Sequence, residues 1–224
     1  MLIAKDQYVN IHAHRAPASP HEWVLRNLAS EDYPPDQDPE ASYSVGLHPW
    51  DIDKVDIPHT LKKIQLATEN CQVLALGEAG LDKMKGVSMD LQLKVFKAHA
   101  DLAALVEMPL IIHAVKADQE LIKFAKEEKP SIPMVIHGYM GNTTRAMELL
   151  KHGFQLSFGE SLLLSQKSRE AYAALPLEST FLETDISDRS IREIYRAAAE
   201  LKKIGVEELC RIMAERANNL LTRK

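Results

Sequence analysis

The sequence of 224 residues predicts a (β/α)8 barrel, also called a TIM barrel, formed as a single domain over residues 1–224. Short apolar runs rich in Val, Ile and Leu alternate with longer amphipathic stretches from residue 43 onward, as in repeated βα units around a parallel sheet. The apolar runs number eight, which is the strand count of this barrel. The chain is short for the fold, whose lower limit is about 200 residues.

The eight apolar runs predict strands in chain order, over residues 8–12, 22–28, 43–48, 73–78, 109–113, 134–137, 154–158 and 180–185. Amphipathic periodicity predicts helices over residues 58–70, 88–107, 118–128, 143–152, 165–174, 190–203 and 206–221. Pro58 and Asn142 are typical of helix starts, and Gly153 and Gly205 are typical of helix ends.

The front quarter of the chain fits the barrel least well. Residues 14–21 and 29–42 are rich in Pro and Asp and too short or too interrupted for helices, whereas a parallel crossover normally takes about a dozen residues. Residues 31–40 predict an acidic, proline-containing loop. The second strand is therefore expected to be irregular, antiparallel or missing, and a distorted barrel of seven regular strands is the alternative.

Composition restricts the class of protein. Hydrophobic residues make up 46% and charged residues 26%, as in soluble globular domains, and the net charge of −5 gives no bulk attraction to nucleic acid. Cys71 and Cys210 do not form a disulfide framework, and the sequence has neither a signal-peptide pattern nor an apolar span of membrane length. We expect a cytoplasmic monomer without membrane contact.

Five of the predicted strands end in residues that commonly bind metals, namely His12 with His14, Glu78, His113, His137 and Asp185. In a barrel the carboxyl ends of all strands lie on one face, so these side chains are expected to converge. Each residue alone is more often structural, and an HxH pair alone is weak evidence. Four histidines and two carboxylates together suffice for two divalent ions, which could be Zn, Mn, Mg or Fe.

The other histidines fall at less informative positions. His48 ends the third strand, where it could contact the substrate, support a ligand or be a plain loop residue. We expect His21, His59, His99 and His152 to be structural or exposed, because they lie in helical patterns or in a loop.

Six short segments, in order, resemble the motifs of the TatD family of metal-dependent hydrolases, an amidohydrolase-type barrel family. They are Asn10-Ile11-His12-Ala13-His14, Gly46-Leu47-His48-Pro49-Trp50, Gly77-Glu78-Ala79-Gly80-Leu81-Asp82, Pro109-Leu110-Ile111-Ile112-His113, Ile136-His137-Gly138-Tyr139-Met140-Gly141 and Leu182-Glu183-Thr184-Asp185. The resemblance implies a barrel hydrolase that acts as a metal-dependent deoxyribonuclease. It also implies that His12, His14 and Asp185 hold one ion, that His113 and His137 hold a second, and that Glu78 bridges them.

The sequence departs from the family pattern at three positions. Asn10 stands where members often have Asp, Val115 where they often have Arg, and Ile186-Ser187-Asp188 where they often have a Pro soon after the final Asp. None of these departures removes a ligand. Lys116 either replaces the missing cation near the scissile group or is a solvated lysine at a helix start.

The resulting hypothesis is a hydrolase that cleaves phosphodiester bonds with a metal-activated water, with Asp185 and Glu78 as catalytic residues. Because no basic stripe is visible, we expect a DNA end or a short oligonucleotide as substrate. The alternatives are hydrolysis of a small-molecule ester, lactone or amide, a metal-binding module without catalysis, and an α/β domain with scattered histidines.

Overall fold

A computed structural model describes residues 3–33 and 38–222 of the protein, so part of the predicted 31–40 loop lies outside the described residues. The described strands are β1 (Tyr8–Ala13), β2 (Glu22–Ala29), β3 (Ser42–Gly46), β4 (Val73–Asp82), β5 (Leu110–Val115), β6 (Met134–Ile136), β7 (Phe154–Phe158) and β8 (Thr180–Leu182). The helices are α1 (Ile57–Ala67), α2 (Met89–Val106), α3 (Asp118–Glu128), α4 (Thr143–Lys151), α5 (Ser161–Leu164), α6 (Gln166–Ala174), α7 (Ile191–Lys202) and α8 (Val206–Leu221).

The strands form one sheet in the order β1 to β8. The β1–β2, β3–β4, β4–β5, β5–β6 and β7–β8 pairings are parallel. This order, with helices following the strands, is that of a (β/α)8 barrel, and the predicted fold class is confirmed.

The second strand is present and parallel, so it is neither missing nor antiparallel, but its register against β1 shifts between Asn10 and Ala13. β2 runs parallel to β1, with Tyr8 opposite Glu22 and Asn10 opposite Val24. The crossover is a loop without a helix, held by hydrogen bonds from the Glu22 N–H to the Ser19 carbonyl and from the Ala18 N–H to Glu22 Oε2. The Glu22 side chain supplies a fixed acceptor for the loop, so this short segment can connect two parallel strands.

The described chain divides into two compact units, one of residues 3–26 with 137–222 and the other of residues 27–136. In the first unit, buried aromatic side chains pack around β1, β7 and β8, and the Tyr195 hydroxyl from α7 bonds both the N–H and the carbonyl of Val9. In the second unit, β3 to β6 bury aliphatic side chains such as Val45 and Ile111, and α1 and α2 pack against these strands. Each unit therefore has its own apolar core.

No helix within residues 3–33 and 38–222 is long and apolar enough to cross a membrane.

Candidate metal centre

His12, His14 and Asp185 form a cluster in the first unit. One oxygen of Asp185, Oδ1, lies 3.5 Å from Nε2 of His12 and 3.4 Å from Nε2 of His14. His12 and His14 are two residues apart at the end of β1, so their side chains share one side of the extended chain. One ligand atom from each of the three residues lies within 4.8 Å of the others, which is close enough for a shared cation.

The backbone of Asp185 is joined directly to the end of β1. Its N–H donates to the His12 carbonyl at 3.0 Å, and its carbonyl accepts from the His14 N–H at 3.3 Å. Asp185 also has a φ of 51°, a left-handed conformation that is costly for a residue with a side chain. The fold thus holds the carboxylate between the two histidines at a backbone position that is unfavourable by itself.

The electrostatics of this cluster keep Asp185 ionised. Burial by itself raises the pKa of the Asp185 carboxyl group. Hydrogen bonds from His12 and His14 and the charge of His137 lower that pKa by more than burial raises it, so the pKa lies well below its usual range. The carboxylate is therefore available as a metal ligand or a proton acceptor at neutral pH.

His137 lies beside the same cluster. Its ring centroid is 4.2 Å from that of His12, and its Nδ1 is 3.5 Å from Oε1 of the fully buried Glu183. The same Glu183 oxygen accepts the Gly138 N–H at 2.7 Å, so the carboxylate is fixed next to the imidazole. A carboxylate on one ring nitrogen orients a histidine and makes its other nitrogen a better ligand.

A buried amide network supports the segment that carries Asp185. Oδ1 of Asn10 accepts the Thr184 N–H at 3.0 Å, while Nδ2 donates to Thr184 Oγ1 at 2.8 Å and to Glu22 Oε1 at 2.9 Å. Arg15 pairs with the same glutamate at 3.1 Å. At this position, where family members often have Asp, the amide of Asn10 both donates and accepts, whereas a carboxylate only accepts.

The second unit contains a separate cluster of His48, Glu78 and His113. Oε1 of Glu78 lies 2.9 Å from Nδ1 of His113 and 3.2 Å from Nε2 of His48. One ligand atom from each residue again lies within 4.8 Å of the others. His48 was predicted only as a substrate contact or support, and the structure brings it to the position of a third possible ligand.

Glu78 is fixed by Asn27 from β2. The Glu78 N–H donates to Asn27 Oδ1 at 2.8 Å, and Asn27 Nδ2 lies 3.5 Å from Glu78 Oε2. The strand passes very close to β5 on both sides of Glu78, because a Cβ on Gly77 would lie 2.3 Å from the Ile111 carbonyl oxygen and one on Gly80 2.0 Å from that of His113. Only glycine fits at these two positions, and the resulting contact places Glu78 next to His113.

Asp82 extends this cluster at the end of β4. Its Oδ2 accepts the indole N–H of Trp50 at 2.7 Å and lies 3.4 Å from His113 Nε2. Burial raises the pKa of Asp82, but bonds from Trp50, the Met84 N–H and His113 outweigh it, and the pKa is lower than usual. The Asp82 carboxylate therefore stays charged beside the ring of His113.

His99 has the structural role expected for it. The ring is fully buried, with Nδ1 donating to the Val95 carbonyl at 2.8 Å and Nε2 accepting the Leu47 N–H at 3.1 Å. It thereby fixes the backbone just before His48. Lys116 is exposed one residue after β5 and has a φ of 53°.

The sequence predicted His12, His14, Glu78, His113, His137 and Asp185 as candidate ligands and His48 only as a contact or support, and it assigned no role to Asn27, Asp82 or Glu183. The signal for Asp82 and Glu183 was present, since both fall inside the quoted motifs. Asn27 had no such signal, because it lies outside the quoted motifs, next to the last residue of the predicted strand 22–28.

Both clusters fit a divalent cation. Each combines two imidazoles with one carboxylate, a mixed nitrogen and oxygen set without thiolate that suits Zn, Mn or Fe. Three protein ligands leave a coordination position for water or substrate, as in catalytic rather than structural sites.

Comparisons with known proteins agree with this chemistry. The sequence matches the family described as TatD related DNase over residues 21–222, a range that begins after His12 and His14. The uncharacterized metal-dependent hydrolase YabD of Bacillus subtilis is 29% identical over 195 residues, which cover 79% of this chain and 76% of YabD.

Two further relatives bear on function and fold. The deoxyribonuclease Tat-D of Schizosaccharomyces pombe is 28% identical over 118 residues, which cover 51% of this chain and only 38% of that protein. The crystal structure of YjjV, a TatD homolog from Escherichia coli, superposes with a TM-score of 0.83 at 19% identity, covering 97% of this chain and 99% of YjjV. The structural likeness supports the fold, and the sequence matches support the family.

Proposed function

Because the chain belongs to the TatD-related DNase family of metal-dependent hydrolases, we propose that it hydrolyses phosphodiester bonds at DNA ends or in short oligonucleotides. The observation that carries the proposal is the pair of clusters, each with two imidazoles and one carboxylate. The relative in S. pombe is named as a deoxyribonuclease, which supports this substrate class.

We propose two divalent ions as cofactors. His12, His14 and Asp185 would hold one, and Glu78 with His113 and His48 would hold the other, while His137 offers a further imidazole beside His12. Bound divalent ions supply Lewis-acid polarisation of the phosphate and of the attacking water. Histidines bind metals only when neutral, so activity is expected to fall below about pH 6.

The chain's own residues divide the remaining work. The ionised carboxylate of Asp185 takes the proton of the attacking water as general base. Glu78, fixed by its backbone bond to Asn27, holds the ring of His113 in one orientation. Lys116, exposed after β5, contacts the phosphate in place of the arginine that relatives often carry at the preceding position.

The net negative charge of the chain favours a DNA end or a short single strand over long duplex DNA as substrate. The chain carries 27 basic against 32 acidic side chains, so long-range attraction to a polyanion is absent. Local positive charge from bound cations and from a few lysines is enough to attract one or a few phosphates. We therefore expect weak binding to long duplex and turnover at termini.

The test is hydrolysis of a short end-labelled single-stranded DNA by purified protein with Mg²⁺ or Mn²⁺, and with EDTA. Asp185→Asn and Glu78→Gln should each lower turnover at least a hundredfold while leaving the thermal unfolding midpoint of the metal-free protein nearly unchanged. Asp188→Asn is the matched control, because Asp188 is an exposed carboxylate three residues along the chain.

Full activity in either cluster variant would refute the site assignment. A wild-type protein that binds divalent metal but cleaves no DNA would refute the nuclease proposal and direct the search to small-molecule esters, lactones and amides. DNA cleavage that persists at the same rate in EDTA would indicate a contaminating nuclease that needs no metal.

A further inference from the structure

Trp50 is an exposed aromatic side chain that is nevertheless held in place. It is 37% exposed, yet its indole N–H donates to Oδ2 of the buried Asp82 at 2.7 Å. A tryptophan that served only to fill the core would be buried, and one without function on the surface would not need a buried carboxylate to orient it. The hydrogen bond fixes one edge of the ring and leaves apolar surface open to solvent.

The loop that follows β4 is held next to this tryptophan. Gln92 from α2 donates to the Asp82 and Val87 carbonyls at 2.9 and 2.8 Å, and its Oε1 accepts the Asp82 N–H at 2.7 Å. A Cβ on Gly86 would lie 2.8 Å from the Pro49 carbonyl oxygen, so the loop backbone approaches the residue before Trp50 closely. The indole therefore sits on a preorganised support, which reduces the entropy lost on binding a ligand.

The indole lies beside the second ligand cluster. Its ring centroid is 4.8 Å from that of His48 and 5.7 Å from that of His113, both in edge-on geometry. A group that stacks on Trp50 would thus be directly next to the side chains that could hold a metal ion. A group that stacks on Trp50 would therefore be part of the substrate molecule that reaches the cluster.

A lysine lies over the same ring. The ammonium of Lys85 is 3.7 Å from the centroid of the Trp50 ring, a cation–π contact. Lys83, two residues earlier in the same loop, is instead paired with Glu120 at 2.7 Å. Among the described residues Lys85 has no carboxylate partner, so its charge is available for an anionic ligand.

We propose that Trp50 and Lys85 form a nucleotide subsite, in which the indole stacks on an unpaired base and the Lys85 ammonium binds an adjacent phosphate. The inference rests on the proposed nuclease function and specifies its substrate as a frayed or single-stranded end. Lys85 has a flexible side chain, so the base takes the place of the ammonium on the ring while the ammonium moves to the phosphate. Because every base has a π-face, such a subsite accepts all four bases.

The first experiment measures binding without turnover. Trp23→Phe leaves Trp50 as the single tryptophan and sacrifices no hydrogen bond, since the buried indole N–H of Trp23 has no partner among the described residues. In EDTA, fluorescence of this protein is titrated with single-stranded tetradeoxyadenylate and with the same sugar-phosphate chain lacking bases. We expect saturable quenching by the tetranucleotide at a concentration at least fivefold lower than any response to the abasic chain.

The second experiment measures kinetics on labelled single-stranded DNA. Trp50→Ala should raise KM about 5- to 150-fold with little change in kcat, whereas Trp50→Phe, which keeps a ring, should recover most of the loss. For Lys85→Gln, the slope of log(kcat/KM) against log[salt] should become shallower by about 0.7, the value for one lost phosphate contact on a single strand. Lys83→Gln is the matched control and should leave both KM and the salt slope unchanged.

The outcomes separate the subsite from the nuclease proposal. Equal responses to the tetranucleotide and the abasic chain, or no response to either, would overturn the stacking subsite whatever the enzymatic activity. If Trp23→Phe shows the expected quenching but the wild type cleaves no DNA, the subsite stands and the nuclease function fails. Equal KM changes on intact and abasic-ended substrates in Trp50→Ala would also overturn it.

Discussion

Replacing Asn10 by aspartate should destabilise the fold by about 4 kcal/mol at pH 7 and by only about 1.5 kcal/mol at pH 5. The Asn10 amide nitrogen donates to Glu22 Oε1 at 2.9 Å, so the substitution places two buried carboxyl groups in contact. Arg15 is the cation that pairs with this glutamate, which leaves one guanidinium for two carboxylates.

The magnitude follows from comparing two costs. Two unit charges 2.9 Å apart repel by about 6 kcal/mol at an effective dielectric constant of 20. Protonating the introduced carboxyl group instead costs about 1.36 kcal/mol for each pH unit above its unfolded pKa of about 3.9, which gives about 4 kcal/mol at pH 7. Protonation costs less free energy than the charge repulsion, so the introduced carboxyl group is protonated in the folded state and can donate to Glu22 as the amide did.

Proton uptake by the introduced carboxyl group determines how the destabilisation depends on pH. The folded state raises the pKa of the introduced group above its unfolded value, so the penalty is absent at low pH and grows as the pH rises through about 3.9. Urea denaturation of Asn10→Asp and wild type at pH 5 and pH 7 measures it. Asn142→Asp is the control, because the exposed Asn142 caps α4 only as an acceptor and a carboxylate accepts equally well. A loss that is equal at both pH values would refute the proton-uptake argument.

The remaining predictions concern a buried histidine and the two cysteines. Burial lowers the pKa of His99, so the stability that the neutral ring contributes is full above the unfolded pKa of about 6.5 and declines as the pH falls below it. In His99→Gln, the unfolding free energy should therefore fall less between pH 7 and pH 5 than it does in the wild type. His99→Leu should cost about 1–3 kcal/mol at pH 7 in the same urea assay, because the Leu47 N–H loses its acceptor. Burial and, to a smaller extent, nearby carboxylates raise the pKa of Cys210 to about 11, whereas Cys71 is exposed. Iodoacetamide at pH 8 should therefore label Cys71 rapidly and Cys210 only on unfolding, and peptide mass analysis measures both. Equal labelling rates would contradict the burial of Cys210.

Hydrophobic periodicity was sufficient wherever an element had one apolar face or run. The bounds of α3, α8 and β7 coincide with the predicted ranges, because each begins and ends where the apolar pattern does. β4 continues to Asp82, four residues past its prediction. That extension, residues 79–82, pairs with β5 and contains Gly80 and Asp82, so its strand conformation depends on the neighbouring backbone rather than on a local apolar pattern.

Candidate ligands were predictable for a topological reason, since parallel strands in a barrel bring their carboxyl ends to one face. Side chains that support the ligands were not, because their roles depend on which strand lies next to which. Asn27 became relevant only because β2 is present as a strand, which the sequence had left open.

An asparagine has the same role in each unit, the buried Asn10 in the first and the partly buried Asn27 in the second. In each, Oδ1 accepts a backbone N–H from the segment that carries a candidate ligand carboxylate, Thr184 for Asn10 and Glu78 for Asn27. In each, Nδ2 faces a carboxylate oxygen, that of Glu22 or of Glu78 itself. An uncharged amide can do both at neutral pH, whereas a carboxylate cannot donate and an ammonium cannot accept. The amide also adds no charge near a candidate ligand set that is already anionic, so it positions the carboxylates without competing for a cation.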